Sequence, residues 1–426
     1  MKQFIKSLTP EPILHFYYYS LATLGAVFYG FPSRKLFVIG VTGTKGKSTT
    51  TELVAAILKE AGHTVAVAST IRFSIGRETE PNLFKMTMPG RFFLQRFLSR
   101  AVSRGATHAV VEMTSEGARQ CRHKWISLNA LIFTNLAPEH IESHGSFEKY
   151  KEAKLSLAKH LEASPKRPRY IVANADDKHG KEFLDTNVEH KLPFSLADAE
   201  PYSTGEKAVR FVWKKGELLT VPLPGVFNLK NILAAMTLCE AIGVRFEDMK
   251  KALEHIEPIP GRAERVERGQ PFTVVVDYAH TPDSLRALFE TYASTSLSTG
   301  AHKRTICVIG STGGGRDTWN RPEKGKAAEE FCDTIFITNE DPYDEDPQAI
   351  LNAIAKGVIK KKPYLMLDRR SAIREALKEA KSGDAVLITG KGTDPFIMGP
   401  KGTKEKWSDK RVAEEELKKL GHSQEK

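Results

Sequence analysis

The sequence predicts an α/β protein of two successive units, each a mostly parallel sheet wound by helices. Three observations carry that reading. From residue 36 onward, short apolar runs bounded by turn residues alternate with stretches of helical spacing; the alternation pauses at the Pro-rich segment 258–261; and it resumes with the same rhythm toward the C-terminus. A length of 426 residues with 41% hydrophobic side chains suffices for a large core in two or three domains, and excludes a disordered or fibrous chain.

Taken in order, residues 1–35 are an apolar N-terminal helical segment. Its run 13–31 approaches the length of a bilayer-spanning helix, but His15, three consecutive tyrosines (Tyr17, Tyr18, Tyr19) and two glycines dilute it, and it has no small-residue cleavage site. The expectation is a helix packed on the protein or lying at a membrane interface. Lys2 and Lys6 before it and Arg34 and Lys35 after it give no orientation signal.

Residues 36–260 are the central unit. Strands at 36–41, 65–69, 109–112, 130–134 and 170–173 alternate with helices at 49–61, 92–103 and 147–161, the first of which stops at Gly62. Residues 208–223 break the rhythm as two β-rich runs around a polar turn at Gly216, a hairpin expected at an antiparallel edge. A helix at 229–241 follows, and Pro258-Ile-Pro-Gly261 is the expected linker. Residues 261–426 repeat the α/β pattern, with strands at 273–276, 305–309, 334–337 and 385–389 and helices at 284–291, 323–330 and 371–380. The stretch 294–300 reads as a surface loop and 411–419 as a solvated helix. No repeat with a period of 20 to 50 residues is evident.

Lys plus Arg number 63 against 52 for Asp plus Glu, a formal charge of +11 that suits phosphate-bearing ligands, nucleic acid or an anionic membrane. The four cysteines (Cys121, Cys239, Cys307, Cys332) have no CxxC spacing, so they read as core thiols in a reducing, cytoplasmic setting rather than a disulfide framework or zinc ribbon.

The strongest chemical signal is Gly40-Val-Thr-Gly-Thr-Lys-Gly-Lys-Ser-Thr49, set between an apolar strand and a helix. Gly43 and Gly46 let backbone N–H groups turn toward phosphate oxygens, Lys47 adds charge, the Ser48 hydroxyl suits Mg²⁺, and Thr44, Lys45 and Thr49 complete the candidate nucleotide-binding loop. A strict GxxxxGK[ST] pattern needs glycine where Val41 stands. The reading is therefore a P-loop central domain with a mostly parallel sheet, followed by a Rossmann-like C-terminal α/β domain. Motors, GTP switches, kinases and ligases all use such a loop, so the reaction stays open at this point.

The GTKGKST variant of the loop resembles that of the Mur ligase family, ATP-dependent amide-forming enzymes that extend the peptide of cell-wall precursors. Further blocks follow in that family's order: Thr134-Asn-Leu-Ala-Pro-Glu-His140, His144-Gly145, Tyr150-Lys-Glu-Ala-Lys154, Gly225-Val-Phe-Asn-Leu-Lys-Asn231, Gly261-Arg262 and Asp277-Tyr-Ala-His280. The likeness spans about residues 38–410, and the segments 277–283, 313–322 and 390–392 are most similar to the MurE-type branch, which adds the third residue of the stem peptide.

The resemblance implies ATP and Mg²⁺ as cofactors, with Lys47, Glu112, His140, Lys154 and Arg262 as catalytic residues. Ser48, Glu112, His140 and a carbamylated Lys154 are implied as metal ligands. Glu112 also ends an apolar strand, where ligands collect in open α/β sheets. A carbamate on Lys154 would supply the anionic oxygens a hard cation prefers. Asn231 is implied as a partner for an adenine edge, Asp277 for ribose hydroxyls and Arg262 for the γ-phosphate once the two units close over each other. Thr87, Ser115, Arg122, Asp341, Tyr343 and Asp394 are implied in substrate binding. The implied partners are a muramyl-peptide-like acceptor and an amino acid.

Two departures bear on substrate. Family members usually begin with a UDP-binding domain of about a hundred residues, whereas here the loop begins at residue 40. This raises a lipid-linked acceptor, with peripheral contact through residues 13–31 at the inner face of the membrane. In the block where the MurE type reads Asp-Asn-Pro-Arg, this chain reads Glu340-Asp-Pro-Tyr343, so the guanidinium that would grip the distal carboxylate of diaminopimelate is missing. Nearby acids, Asp341 and Asp394 among them, suit either a cationic side chain or a solvated loop. Glu116 also stands where a histidine is usual. A folylpolyglutamate- or polyamide-type ligase is the alternative within the fold. A basic nucleic-acid-binding P-loop ATPase is the alternative from another class, but no RRM or zinc-finger spacing supports it, and no nucleic-acid partner is expected.

Overall fold

The computed structural model describes residues 10–139, 141–298 and 303–422. The first large sheet has eight strands: β1 (Phe37–Thr42), β2 (Val65–Ala68), β3 (Arg72–Ile75), β4 (Glu78–Pro81), β5 (His108–Glu112), β6 (Ala130–Phe133), β7 (Tyr170–Asn174) and β8 (His190–Phe194). Their order is β4-β3-β2-β5-β1-β6-β7-β8. β1 lies at the centre, parallel to β5 and β6; near one edge β3 alone runs against the other strands, antiparallel to both β2 and the edge strand β4. The apolar runs that predicted these strands are buried on both faces, as a parallel sheet covered by helices requires. Helices Lys47–Glu60 and Gly225–Ala241 cover one face; Arg91–Ser103 and Phe147–Glu162 cover the other.

The hairpin at 208–223 forms, but not as an edge of that sheet. β9 (Tyr202–Thr204), β10 (Val209–Val212) and β11 (Leu218–Val221) make a separate three-stranded antiparallel sheet. Its inward residues Val209, Phe211, Leu219 and Val221 join the core beneath the Gly225–Ala241 helix, so burial of one alternating face, rather than edge pairing, places it. That helix begins four residues earlier than its periodicity indicates, which moves Asn231 from the first turn into the second.

The second large sheet comprises β12 (Glu264–Arg265), β13 (Thr273–Asp277), β14 (Thr305–Ile309), β15 (Thr334–Thr338), β16 (Tyr364–Met366) and β17 (Ala385–Thr389), in the order β12-β13-β17-β14-β15-β16. All neighbours are parallel except β12. Two corrections concern its connections. The stretch expected as a loop at 294–300 continues the helix Pro282–Ser298 as far as Ser298, because Leu285, Leu288, Phe289 and Tyr292 carry the helical apolar stripe to its threshold; residues 299 and 300 lie outside the described residues. The helix Asp409–Lys419 buries Val412, Ala413 and Leu417 and is solvated on one side only.

All four cysteines are buried, but Cys307 and Cys332 are disulfide-bonded, leaving Cys121 and Cys239 as free thiols. Sequence spacing misses such a pair because the crossover from β14 to β15 brings positions 25 residues apart to a Cα separation of 6.0 Å.

The N-terminal segment forms a helix, Glu11–Phe28, packed on the protein as expected. Ala22, Gly25 and Ala26 face inward, and Thr23 Oγ1 accepts from Trp125 Nε1 at 2.9 Å. Among the described residues no helix is long and apolar enough to cross a membrane.

Candidate active site

The carboxyl ends of β1 and β5, the phosphate loop and the facing end of the second sheet enclose a cleft with a cavity volume of ≈ 480 Å³. Thr44, Lys45, Gly46, Lys47, Ser48, Thr49, Thr87, Glu112, Asn231, Arg262, Asp277, Asp341, Tyr343 and Asp394 all line it. The sequence therefore places most of the implied site in one space, drawn from both sheets.

The loop between β1 and the Lys47–Glu60 helix is tightly held. Gly43 and Gly46 have φ of 144° and 81°, and a Cβ on Gly43 would come within 1.9 Å of Thr134 Oγ1. Thr44 N donates to Asn135 O, and Lys45 N to Asn135 Oδ1 at 2.9 Å. The first-turn N–H groups of the helix have no partner within it, and Lys47, Ser48 and Thr49, which carry them, line the cleft, a ready anion site. Lys47 Nζ donates to the carbonyls of Gly43 and Thr44 at 3.1 and 2.9 Å, and burial pulls its pKa down.

Glu112, 2% exposed at the end of β5, accepts from Ser48 Oγ at 3.0 Å and from Thr70 N and Oγ1 at 2.8 and 3.0 Å. A hydroxyl and a buried carboxylate at a phosphate loop fit Mg²⁺, which takes one or two protein oxygens and completes its shell from water and phosphate. His140 lies outside the described residues.

Lys154 does not reach the cleft surface. At 1% exposure it projects from the Phe147–Glu162 helix under the loop, where its Nζ donates to Gly43 O at 2.6 Å and sits 4.7 Å from the Tyr150 ring centroid. Burial, with Lys47 and Lys45 nearby, holds its pKa well below that of an ordinary lysine.

Arg262, just after the linker, crosses to the phosphate loop: its Nη2 donates to Ser48 Oγ at 3.1 Å while its guanidinium lies 4.5 Å over the Tyr278 ring. Asp277 accepts from Ala263 N and Ala279 N, both at 2.6 Å, and burial raises its pKa. Asn231 turns its carbonyl oxygen toward the loop, within 3.4 Å of Thr50 Oγ1 and against Gly46.

At the opposite end, Asp341 is a hub. Lys391 Nζ donates to both its oxygens at 2.9 Å, Met398 N to Oδ1 at 2.7 Å, and Lys85 Nζ to Oδ2 at 2.8 Å. Lys85 also pairs with Asp394 at 3.2 Å. Asp341 and Asp394, two of the acids that suggested a cationic amino acid, are thus already compensated by two lysines. Tyr343 lies beneath the Arg316 guanidinium, 5.4 Å from its ring centroid.

Two expected substrate contacts stay outside the cleft lining. Ser115 is buried at the start of the short helix Ser115–Arg119, and Arg122 turns back to donate to Met88 O and, at 2.7 Å, to Gln120 Oε1. Glu139, His280, Thr70, Lys85 and Lys391 are cleft or near-cleft residues that sequence reading did not select. Glu139 accepts from Lys45 at 2.8 Å and contacts His280 Nε2 at 3.0 Å. Glu139, His280 and Lys391 stood inside the quoted blocks and were legible there; Thr70 and Lys85 carried no signal.

Residues 41–239 match the Mur ligase middle domain and residues 261–392 the Mur ligase glutamate ligase domain. The UDP-N-acetylmuramoyl-L-alanyl-D-glutamate–2,6-diaminopimelate ligase of Geobacillus kaustophilus is 33% identical over 414 residues, covering 94% of this chain and 83% of that relative. The chain belongs to the Mur ligase family.

This Mur ligase is also 37% identical to the UDP-N-acetylmuramyl-tripeptide synthetase of a Roseiflexus species, over 95% of its own length and 82% of that protein, which supports the MurE-type branch. A solved diaminopimelate ligase structure superposes with a TM-score of 0.60 at 27% identity, covering 91% of this chain and 79% of the other. Folylpolyglutamate synthase of Mycobacterium tuberculosis, at 17% identity, 88% and 93% coverage and a TM-score of 0.70, shares the fold.

Proposed function

We propose that this Mur ligase joins the amino group of an amino acid to a carboxylate of a muramyl-peptide-like acceptor, converting ATP to ADP and phosphate. The observation that carries the reading is the meeting of Arg262, Ser48 and Glu112 at the phosphate loop, since it brings residues of both sheets to one point. In this reading an acceptor carboxylate oxygen attacks the γ-phosphorus and ADP leaves. The amine then attacks the acyl carbon of the resulting acyl phosphate, loses a proton, and phosphate departs.

Lys47 and Arg262 offset the charge that spreads over the transferring phosphoryl group, where positioning and electrostatics supply most of the rate. Mg²⁺, held by Ser48 and Glu112, would add Lewis-acid neutralisation of the same oxygens. Lys154 suits carbamylation: its depressed pKa leaves an amine able to attack CO₂, and the product carbamate would face the loop. Packing of the second unit over the first excludes water from the acyl phosphate.

The test is release of ADP and phosphate with product detected by mass, over a panel of amino acids and muramyl-peptide acceptors. Lys47→Ala is the control. Absence of any condensed product with the native chain, or equal turnover by the variant, refutes the reading.

Two expectations concern the amine end. Because a tyrosine replaces the guanidinium, kcat/KM for diaminopimelate falls below that for at least one other amino acid, and Tyr343→Arg raises it by about tenfold, the worth of a charge-assisted pair. A native preference for diaminopimelate contradicts this. The Lys85 ammonium occupies the acid pair Asp341 and Asp394 that an incoming amine would meet. Lys85→Ala therefore lowers KM for the amino acid by about threefold or more and leaves KM for ATP unchanged; an increase in amino-acid KM shows that Lys85 assembles the subsite instead.

A further inference from the structure

We propose that the outer face of the N-terminal helix docks on an anionic lipid bilayer. The helix is apolar on both sides. Its inner face is made of small residues, and a Cβ on Gly25 would already touch Phe92, so the helix lies flat against Arg91–Ser103. Its outer face presents Ile13, Phe16, Tyr17, Leu24, Val27 and Phe28, with Phe16 and Phe28 72% and 75% exposed. At 100° per residue these six side chains fall within an arc of about 120°, interrupted only by Ser20. A helix covering a soluble protein ordinarily carries charge on that arc. Here the sole charged residue is Glu11, in the first turn.

The charge around the helix selects the occupant. No acidic residue occurs between Glu11 and Glu52, whereas Arg34 and Lys35 are exposed in the turn that follows the helix, and Lys2 and Lys6 precede it in the sequence. A basic margin on an aromatic-rich apolar stripe complements a negatively charged interface, where phenylalanine and tyrosine partition and each Lys or Arg adds attraction. A second copy fits less well. Parallel self-pairing would oppose identical Arg34 and Lys35 side chains, and Phe16 and Phe28 stand at the flanks where paired helices carry complementary charge.

The helix is also tied to the rim of the cleft. His15 Nε2 lies 3.4 Å from Cys121 Sγ, and Arg91 stacks 4.2 Å over Tyr18 while donating to Gln120 O. Two residues further on, Arg122 donates to Met88 O beside cleft-lining Thr87. Docking through this helix would set that rim close to the lipid surface. The docking itself does not depend on the ligase reading, since it needs neither nucleotide nor amino acid.

The test is co-sedimentation of the full-length chain with vesicles of phosphatidylcholine alone or with phosphatidylglycerol added. The expected result is binding to anionic vesicles about tenfold stronger than to neutral ones at low salt, weakening as salt rises. Phe16→Ser with Phe28→Ser, and Leu24→Glu alone, reduce it to background without changing the circular dichroism; Arg34→Glu with Lys35→Glu abolishes the preference for anionic lipid. No binding by the native chain, or binding that survives these substitutions, overturns the proposal. So does a lipid-free dimer that the Phe16 and Phe28 substitutions convert to monomer, because the face is then covered by a second copy.

Discussion

Lys154→Ala lowers kcat by about 10²- to 10³-fold, the scale of losing one preorganised group at a phosphoryl-transfer site. The side chain touches no solvent and its Nζ is 2.6 Å from the phosphate-loop carbonyl of Gly43, so its removal acts on the loop and on whatever the loop holds. Three readouts separate carbamate chemistry from packing. Lys154→Arg stays inactive, because a guanidinium remains protonated and forms no carbamate. A short carboxylate such as acetate restores part of the rate to the alanine variant by supplying oxygen donors in the vacated space. Native enzyme depleted of bicarbonate loses activity and regains it on addition. Thermal unfolding of Lys154→Ala shows a lowered midpoint, since a buried aliphatic stem and the bond to Gly43 O are lost together, and for that reason stability alone does not report on the carbamate. Full activity of the alanine variant sinks this assignment.

Arg262→Ala is expected to lower kcat by a similar about 10²- to 10³-fold while changing KM for ATP by less than about fivefold. The guanidinium comes from the second unit, stacks on Tyr278 and reaches Ser48 across the cleft, so its contribution depends on the two sheets standing together. Arg262→Lys recovers only a small part, because an ammonium lacks the planar fork and the stacking surface. A kcat within threefold of native in the alanine variant would place the cross-cleft contact outside the reaction.

Motifs with invariant local chemistry were readable. The glycine pattern of the phosphate loop needs only a strand before it and a helix after it, and both neighbours declare themselves by apolar run and spacing, so Lys47, Ser48 and the loop glycines stood out. Glu112 was legible because β5 ends abruptly on a charge. The surroundings of Arg122 were not legible from position alone: its backbone carbonyl partner, Met88, lies 34 residues away, and Arg122 is not among the residues lining the cleft. Asn231 shifted by a turn because Gly225 to Asn228 satisfy the helix geometry without showing its apolar period.

The sequence by itself determined the two α/β units, the phosphate loop, the strand-end carboxylate, the substitution of tyrosine for arginine at 343 and the apolar character of the N-terminal helix. These are properties of neighbouring residues, and periodicity and turn chemistry record them directly. Only the tertiary structure decided that Lys85 and Lys391 neutralise Asp341 and Asp394, that Lys154 is buried beneath the loop, that Cys307 meets Cys332 and that the helix turns its large apolar side chains outward. Each of these joins positions far apart in the chain or depends on which face another element covers, and one-dimensional spacing carries no information about distance or burial between elements.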